Sequence, residues 1–181
     1  MPRFVALLRG VNVGKGNRVP MAEFKAMLEQ QGYTDVSTIL NSGNAVFTSS
    51  SRSSAKHAAS IAAALEQRLG VITPVIVKSE SELSAVIAAS PLNPPDSDRS
   101  RYLVAFAAEE EALLALTPLQ AQAQAPESFV VTSLAAFLHC PAGLLESKVG
   151  EALLGKAGKR VTTRNWATVL KLSAQARERV A

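Results

Sequence analysis

The chain has 181 residues, 48% hydrophobic and 19% charged, with a net charge of +4 and a single cysteine. This is the make-up of an ordinary globular protein, long enough for one large domain or two small ones. No apolar run approaches the roughly 18 residues that a membrane-spanning helix needs, and the lone Cys140 excludes an internal disulfide framework and fits a reducing cytoplasm.

RFVALLR reads as a strand: it is short, apolar and followed by glycine. MPRFVALLRG lacks the long apolar centre and cleavage site of a signal peptide. PMAEFKAMLEQQ is a helix with Phe24, Met27, Leu28 and Gln31 on one face, Pro20 at its start and Gly32 at its end. VSTIL and AVFTS are two strands around an NSGN turn. SSAKHAASIAAALEQRLG is a second helix ending at Gly70, and TPVIVKS a fourth strand. The order strand–helix–strand–strand–helix–strand is the ferredoxin-like unit. Phe4, Ala6 and Leu8 on one face of the first strand, with Val5 and Leu7 on the other, imply a sheet covered on both sides.

Ser79 and Glu82 form a capping-box pattern opening a helix through about Ala89. Residues 90–101, SPLNPPDSDRSR, read as a linker. The order then partly recurs. YLVAFA is a strand, EEEALLALTPLQAQAQ a helix, and SFVVTSLAAFLHC a hairpin around Thr132–Ser133. ESKVGEALLGKAG is a helix, KRVTT an extended piece, and RNWATVLKLSAQARERV the last helix. The expected fold is α+β, two ferredoxin-like halves with antiparallel sheets, the second degenerate. Residues 1–89 form the first half with its extra helix, 90–101 the linker, and 102–181 the second half.

Catalytic constellations are sparse. His57 lies in an alanine-rich helix and His139 at a hairpin end, with no Cys or carboxylate at metal spacing. His139 and Cys140 are neighbours on a strand and point to opposite faces, so they are no dyad. Asp occurs only at positions 35, 96 and 98, which argues against a paired-carboxylate site. The Glu109–Glu111 run stabilises a helix start by its charge. Trp166 is read as the core anchor of the last helix. Phe4 and Phe47 evoke the base-stacking aromatics of RNA-recognition sheets, but the accompanying consensus is absent.

RGVNVGKGN holds three glycines after a strand and before a helix. It matches neither the G-x-G-x-x-G nor the G-x-x-x-x-G-K-[ST] spacing. A glycine-rich loop in this position still offers free backbone N–H groups to an anion, with Lys15 and Arg18 placed to close over it. Residues 1–22 contain four cations and no acid, residues 102–147 contain five Glu and no cation, and the chain from Lys148 is basic again. Two basic regions thus bracket an acidic one, which suits an anionic partner if the ends meet. Arg18 ahead of the first helix, Lys148 after the candidate N-cap Ser147, and Arg164 after the candidate caps Thr162 and Thr163 all oppose the helix dipole. A shared anion would turn each into a favourable pair.

Three blocks together, VALLRGVNVGKGNRVPMAEFKAMLEQQGY, ILNSGNAVFTS and VTTRNWATVLKL, resemble the conserved bacterial family catalogued as domain of unknown function 1697. The resemblance runs from the first strand to the last helix. It implies an α+β protein of ferredoxin-like character and no established activity. The family's motifs fall on Arg9, Gly10, Asn12, Val13, Gly14, Asn17, Asn41–Asn44, Ser147, Lys148 and Thr163–Trp166. GKGN stands where the family often has paired glycines, and LLESK lacks the Gly-Arg that often precedes Ser-Lys.

The expected function is binding of a phosphate-bearing or other anionic ligand, a nucleotide or nucleic acid, by a cytoplasmic protein. The glycine loop, the NSGN turn and the TTRNW segment would converge on one basic, Asn-rich cleft. Arg9, Lys15, Arg18, Lys148 and Arg164 would supply charge, and Asn12, Asn17, Asn41, Asn44 and Asn165 hydrogen bonds. One alternative is an enzyme using Lys/Arg electrostatics in that cleft. The other is a structural or interaction module whose motifs tie the two halves together. No catalytic residue, metal or cofactor is assigned, no membrane is expected, and the oligomeric state is open.

Overall fold

In the computed structural model, which describes residues 1–178, the first apolar run forms strand β1 (Arg3–Leu8). Helix α1 (Met21–Gln30), strands β2 (Thr34–Thr38) and β3 (Asn44–Thr48), helix α2 (Ser54–Leu69) and strand β4 (Val75–Ser79) follow. The sheet is antiparallel in the order β2-β3-β1-β4, the arrangement of a βαββαβ unit. Phe4, Ala6 and Leu8 meet Phe24 and Leu28 of α1 and Ile61 and Leu65 of α2 in one core. Val5 and Leu7, on the opposite face of β1, are equally buried. Phe4 and Phe47 stack on each other inside that core, around the buried His57, so neither offers a platform for a base. His57 donates from Nε2 to the Ser51 carbonyl, which leaves Nδ1 to accept the Tyr33 hydroxyl at 2.9 Å.

Helix α3 (Glu80–Ala88) opens with the expected capping box. The Ser79 amide donates to Glu82 Oε2 at 2.7 Å and the Glu82 amide to Ser79 Oγ at 3.2 Å. Burial raises the Glu82 pKa, but hydrogen bonds from Ser79 and Ser54, with nearby Lys78, outweigh it and leave the carboxyl below its ordinary value. Glu82→Ala should therefore cost about 1 kcal/mol at neutral pH. Because the folded pKa is the lower one, that difference should shrink as pH falls through it, as urea denaturation across an acidic pH series would record.

The second part of the chain repeats the pattern. Strand β5 (Tyr102–Ala107), helix α4 (Glu110–Leu114), strands β6 (Ser128–Val131) and β7 (Ala136–His139), helix α5 (Lys148–Leu154) and strand β8 (Val161–Asn165) precede helix α6 (Trp166–Arg177). Its sheet is again antiparallel, in the order β6-β7-β5-β8. The long helix expected over residues 109–124 is instead α4 and a separate 3-10 segment, Thr117–Gln122. Pro118 has no N–H to donate and disfavours helical geometry at Thr117. The 146–158 helix is likewise shorter, since α5 ends at Gly155. Trp166 is buried with its ring edge against Tyr102, as a core anchor.

The chain forms two compact units, Met1–Leu83 with the segment from Leu172 onward, and Ser84–Lys171. The division therefore falls within α3 and α6. Residues 90–101 lie inside the second unit, where Asp96–Arg101 winds into a 3-10 helix. Among the described residues, no helix is long and apolar enough to cross a membrane.

Candidate functional site

The register of the first sheet decides which loops meet. Leu7 pairs with Asn44 and Leu8 with Val75, so the end of β1 lies beside the starts of β3 and β4. Loop 9–20, turn 39–43 and loop 70–74 therefore leave the sheet at one end. Hydrogen bonds tie them together. The Leu8 amide donates to the Gly43 carbonyl at 2.9 Å and the Arg9 amide to the Pro74 carbonyl at 3.2 Å. The Thr73 hydroxyl donates to the Arg9 carbonyl. Gly43, at φ +85°, is packed so closely that a Cβ there would lie 2.6 Å from Val11 Cγ2 and 2.8 Å from Leu8 Cβ.

Asn12 clamps the glycine loop. Its Nδ2 donates to the Val19 and Asn41 carbonyls, both at 2.7 Å, and its Oδ1 accepts the Val19 amide at 2.8 Å. Its own amide donates to the Asn17 carbonyl at 2.7 Å, closing the loop's base. Asn44 is fully buried and donates to the Ile39 carbonyl and Ser42 Oγ, so it shapes the turn. The glycine loop and the NSGN turn thus meet.

The tip beyond this clamp is exposed. Positive φ recurs at Gly10, Asn12 and Gly14, alternating with negative φ between them. Residues at positive φ let the chain turn sharply here and leave some of its amides outside strand and helix pairing. Among the described residues, the amides of Val13, Gly14 and Lys15 donate to no protein group. Arg18 Nη2 donates across the loop to the Gly14 carbonyl at 2.8 Å. Lys15 and Asn17 are exposed, while partial burial lowers the Arg9 pKa from its ordinary value. No Asp or Glu occurs in any of the three loops.

The remaining expected site residues belong to the second unit. Ser147 caps α5 through the Gly150 amide and donates to Glu127 Oε1 at 2.9 Å. Lys148 lines a cleft of about 270 Å³ that also contains Glu127 and Glu146, so the local charge there is unfavourable to an anion. Arg164 lies in β8, where it pairs with Val104 of β5, and not in a helix. Its Nη1 donates to Thr162 Oγ1 and to the Thr163 carbonyl, both at 2.8 Å. Only 7% exposed, its guanidinium is pushed by burial to a pKa of about 10 and stays charged at neutral pH. Thr162 and Thr163 are strand residues. Asn165 caps α6 instead, its Oδ1 accepting the Thr168 amide at 2.9 Å. The dipole argument therefore does not apply to Arg164.

Two polar pairs were not foreseen from the sequence, Tyr33–His57 and a bond between His139 Nε2 and Asp98 Oδ2. Cys140 is buried, and burial with nearby Glu127 raises its thiol pKa, so it is no activated nucleophile. Among the described residues, no group of His, Cys, Asp and Glu is arranged to hold a metal ion.

Residues 1–137 match the model of the family described as "Protein of unknown function (DUF1697)". The chain belongs to that family. The DUF1697 match takes in the glycine loop and the NSGN turn and ends in β7, so the VTTRNWATVLKL block lies beyond it. A conserved bacterial protein of Streptococcus pneumoniae has a similar structure, with a TM-score of 0.78 and 23% identity over 97% of this chain and 99% of that one. At that identity the likeness shows the fold. No curated protein matches this DUF1697 chain.

Proposed function

We propose that this protein binds an anionic, phosphate-bearing ligand and that the loop end of the first unit receives it. The observation that carries this reading is the glycine-loop tip, with the unengaged amides of Val13, Gly14 and Lys15, the exposed cations Lys15 and Arg18, and no carboxylate in the surrounding loops. Exposed amides without a protein acceptor are available to donate to an oxyanion. Lys15, Arg18 and Arg9 add charge, and Asn17 a further donor. Asn12 serves by tying the glycine loop to the Asn41 carbonyl, and Asn44 by shaping the turn. The buried free cysteine fits a cytoplasmic setting.

Lys15→Ala and Arg18→Ala should each weaken pyrophosphate or mononucleotide binding about tenfold, the worth of one charge-assisted hydrogen bond. Neither should move the melting temperature by more than about 1 °C. Titration monitored by NMR checks the first statement and a thermal melt the second. A wild-type protein that shows no amide shifts in residues 10–18 under phosphate would sink the proposal. Were the ligand a nucleic acid, affinity would fall steeply with salt as counterions are released.

For the second-unit motif we favour a structural role. The guanidinium of Arg164 and the amide of Asn165 are engaged with backbone and hydroxyl groups of their own segment.

A further inference from the structure

The same loop end carries aliphatic side chains in water. Val13, Leu40 and Ile72 are 63%, 52% and 76% exposed. Each stands one residue from a bond that joins two loops. Val13 follows Asn12, and Leu40 precedes Asn41, the two partners of the 2.7 Å bond. Ile72 precedes Thr73, which bonds Arg9. All three are therefore presented from tied backbone. Leu40 in addition sits at φ +59°, a conformation a bulky side chain rarely adopts. The turn holds it outward against that local cost.

We propose that this end is a docking surface for a protein segment that carries carboxylates among aliphatic side chains. The proposal rests on the anion-accepting character of that reading and adds a second kind of anion, the carboxylates of a protein partner. Charge complementarity supports it, since the exposed Lys15 and Arg18 stand on a loop end whose three loops contain no acid. The aliphatic tips supply what a small anion would not use, apolar area for the partner's own aliphatic side chains. A nucleic acid fits less well. None of the three loops has an aromatic residue on which a base could stack, and Phe4, Tyr33 and Phe47 are in the core.

The test uses the full chain and a labelled amphipathic helical peptide of Glu and Leu, with a Lys/Leu counterpart, a uridine oligonucleotide and anionic phospholipid vesicles as comparison arms. Anisotropy should show selective binding of the Glu/Leu peptide. The pair Leu40→Asn and Ile72→Ser should weaken it at least about tenfold. Asn accepts positive φ, so the turn is kept. The same pair should leave pyrophosphate titration unchanged, whereas Lys15→Glu with Arg18→Glu should abolish both. Docking is overturned if the Lys/Leu peptide binds equally, if the tip pair binds as the wild type does, or if the Glu/Leu peptide fails to bind. It is also overturned if the oligonucleotide or the vesicles bind more tightly, or if sedimentation shows self-association that the tip pair removes. Loss of the peptide result with pyrophosphate still bound removes the docking alone. Absence of pyrophosphate binding removes the phosphate reading beneath it.

Discussion

Gly43→Ala should destabilise the first unit by about 3 kcal/mol, lowering its melting temperature by roughly 12–24 °C. Two costs combine. The residue sits at φ +85°, where an L side chain is strained. The new methyl would also fall within 3 Å of Val11 and Leu8, both fully buried and unable to withdraw. Gly70→Ala is the matched control, since φ there is +64° but nothing lies within 4 Å. It should cost only about 1 kcal/mol, the conformational part alone. Urea denaturation of the two variants separates strain from collision. Because the methyl presses on the base of the glycine loop, Gly43→Ala should also weaken whatever that loop binds, which Gly70→Ala should not.

Arg164→Ala should cost about 3 kcal/mol, as urea denaturation would record. The substitution empties a long buried side chain and removes a donor from Thr162 Oγ1 and the Thr163 carbonyl. Arg164→Met keeps most of the volume and removes the desolvation cost of the charge, so it should lose no more than about 1 kcal/mol. The pH dependence has a definite sign. Burial lowers the folded-state pKa to about 10, so the penalty for the charged form is fully present below that pH and relieved only above it. The stability difference between wild type and Arg164→Met should therefore stay flat between about pH 5 and pH 9. Binding lost in Arg164→Met at unchanged stability would instead place this residue in the ligand site.

Local signals were legible wherever a residue's partners are near in sequence. Phe24, Met27 and Leu28 announce the buried face of α1 by spacing, and Ser79 with Glu82 announces the cap of α3. Gly70 marks the end of α2 because only a left-handed residue closes that turn cheaply. Non-local pairing is what the sequence hides. Asn165 looks like a helix residue, yet its register opposite Leu103 keeps it in β8 and makes it the cap. The charge of Arg164 suggests a surface cation, and burial beneath strand pairing makes it a structural one. Within the loop surface, the motif residues Asn12, Asn41 and Asn44 were visible, but the use of Asn12 as a clamp depends on a contact 29 residues away. Leu40 stands in the ILNSGNAVFTS block without being one of its motif residues, and Ile72 lies outside every block.

The buried Trp166 gives the protein a built-in observer of one unit. It is the sole tryptophan, it stacks edge-on with Tyr102, and both belong to the unit Ser84–Lys171. Its fluorescence thus follows the melting of that unit, whereas backbone circular dichroism follows helices in both. Coincident midpoints from the two signals would mean that the units unfold as a single cooperative body, and separated midpoints would give each its own stability.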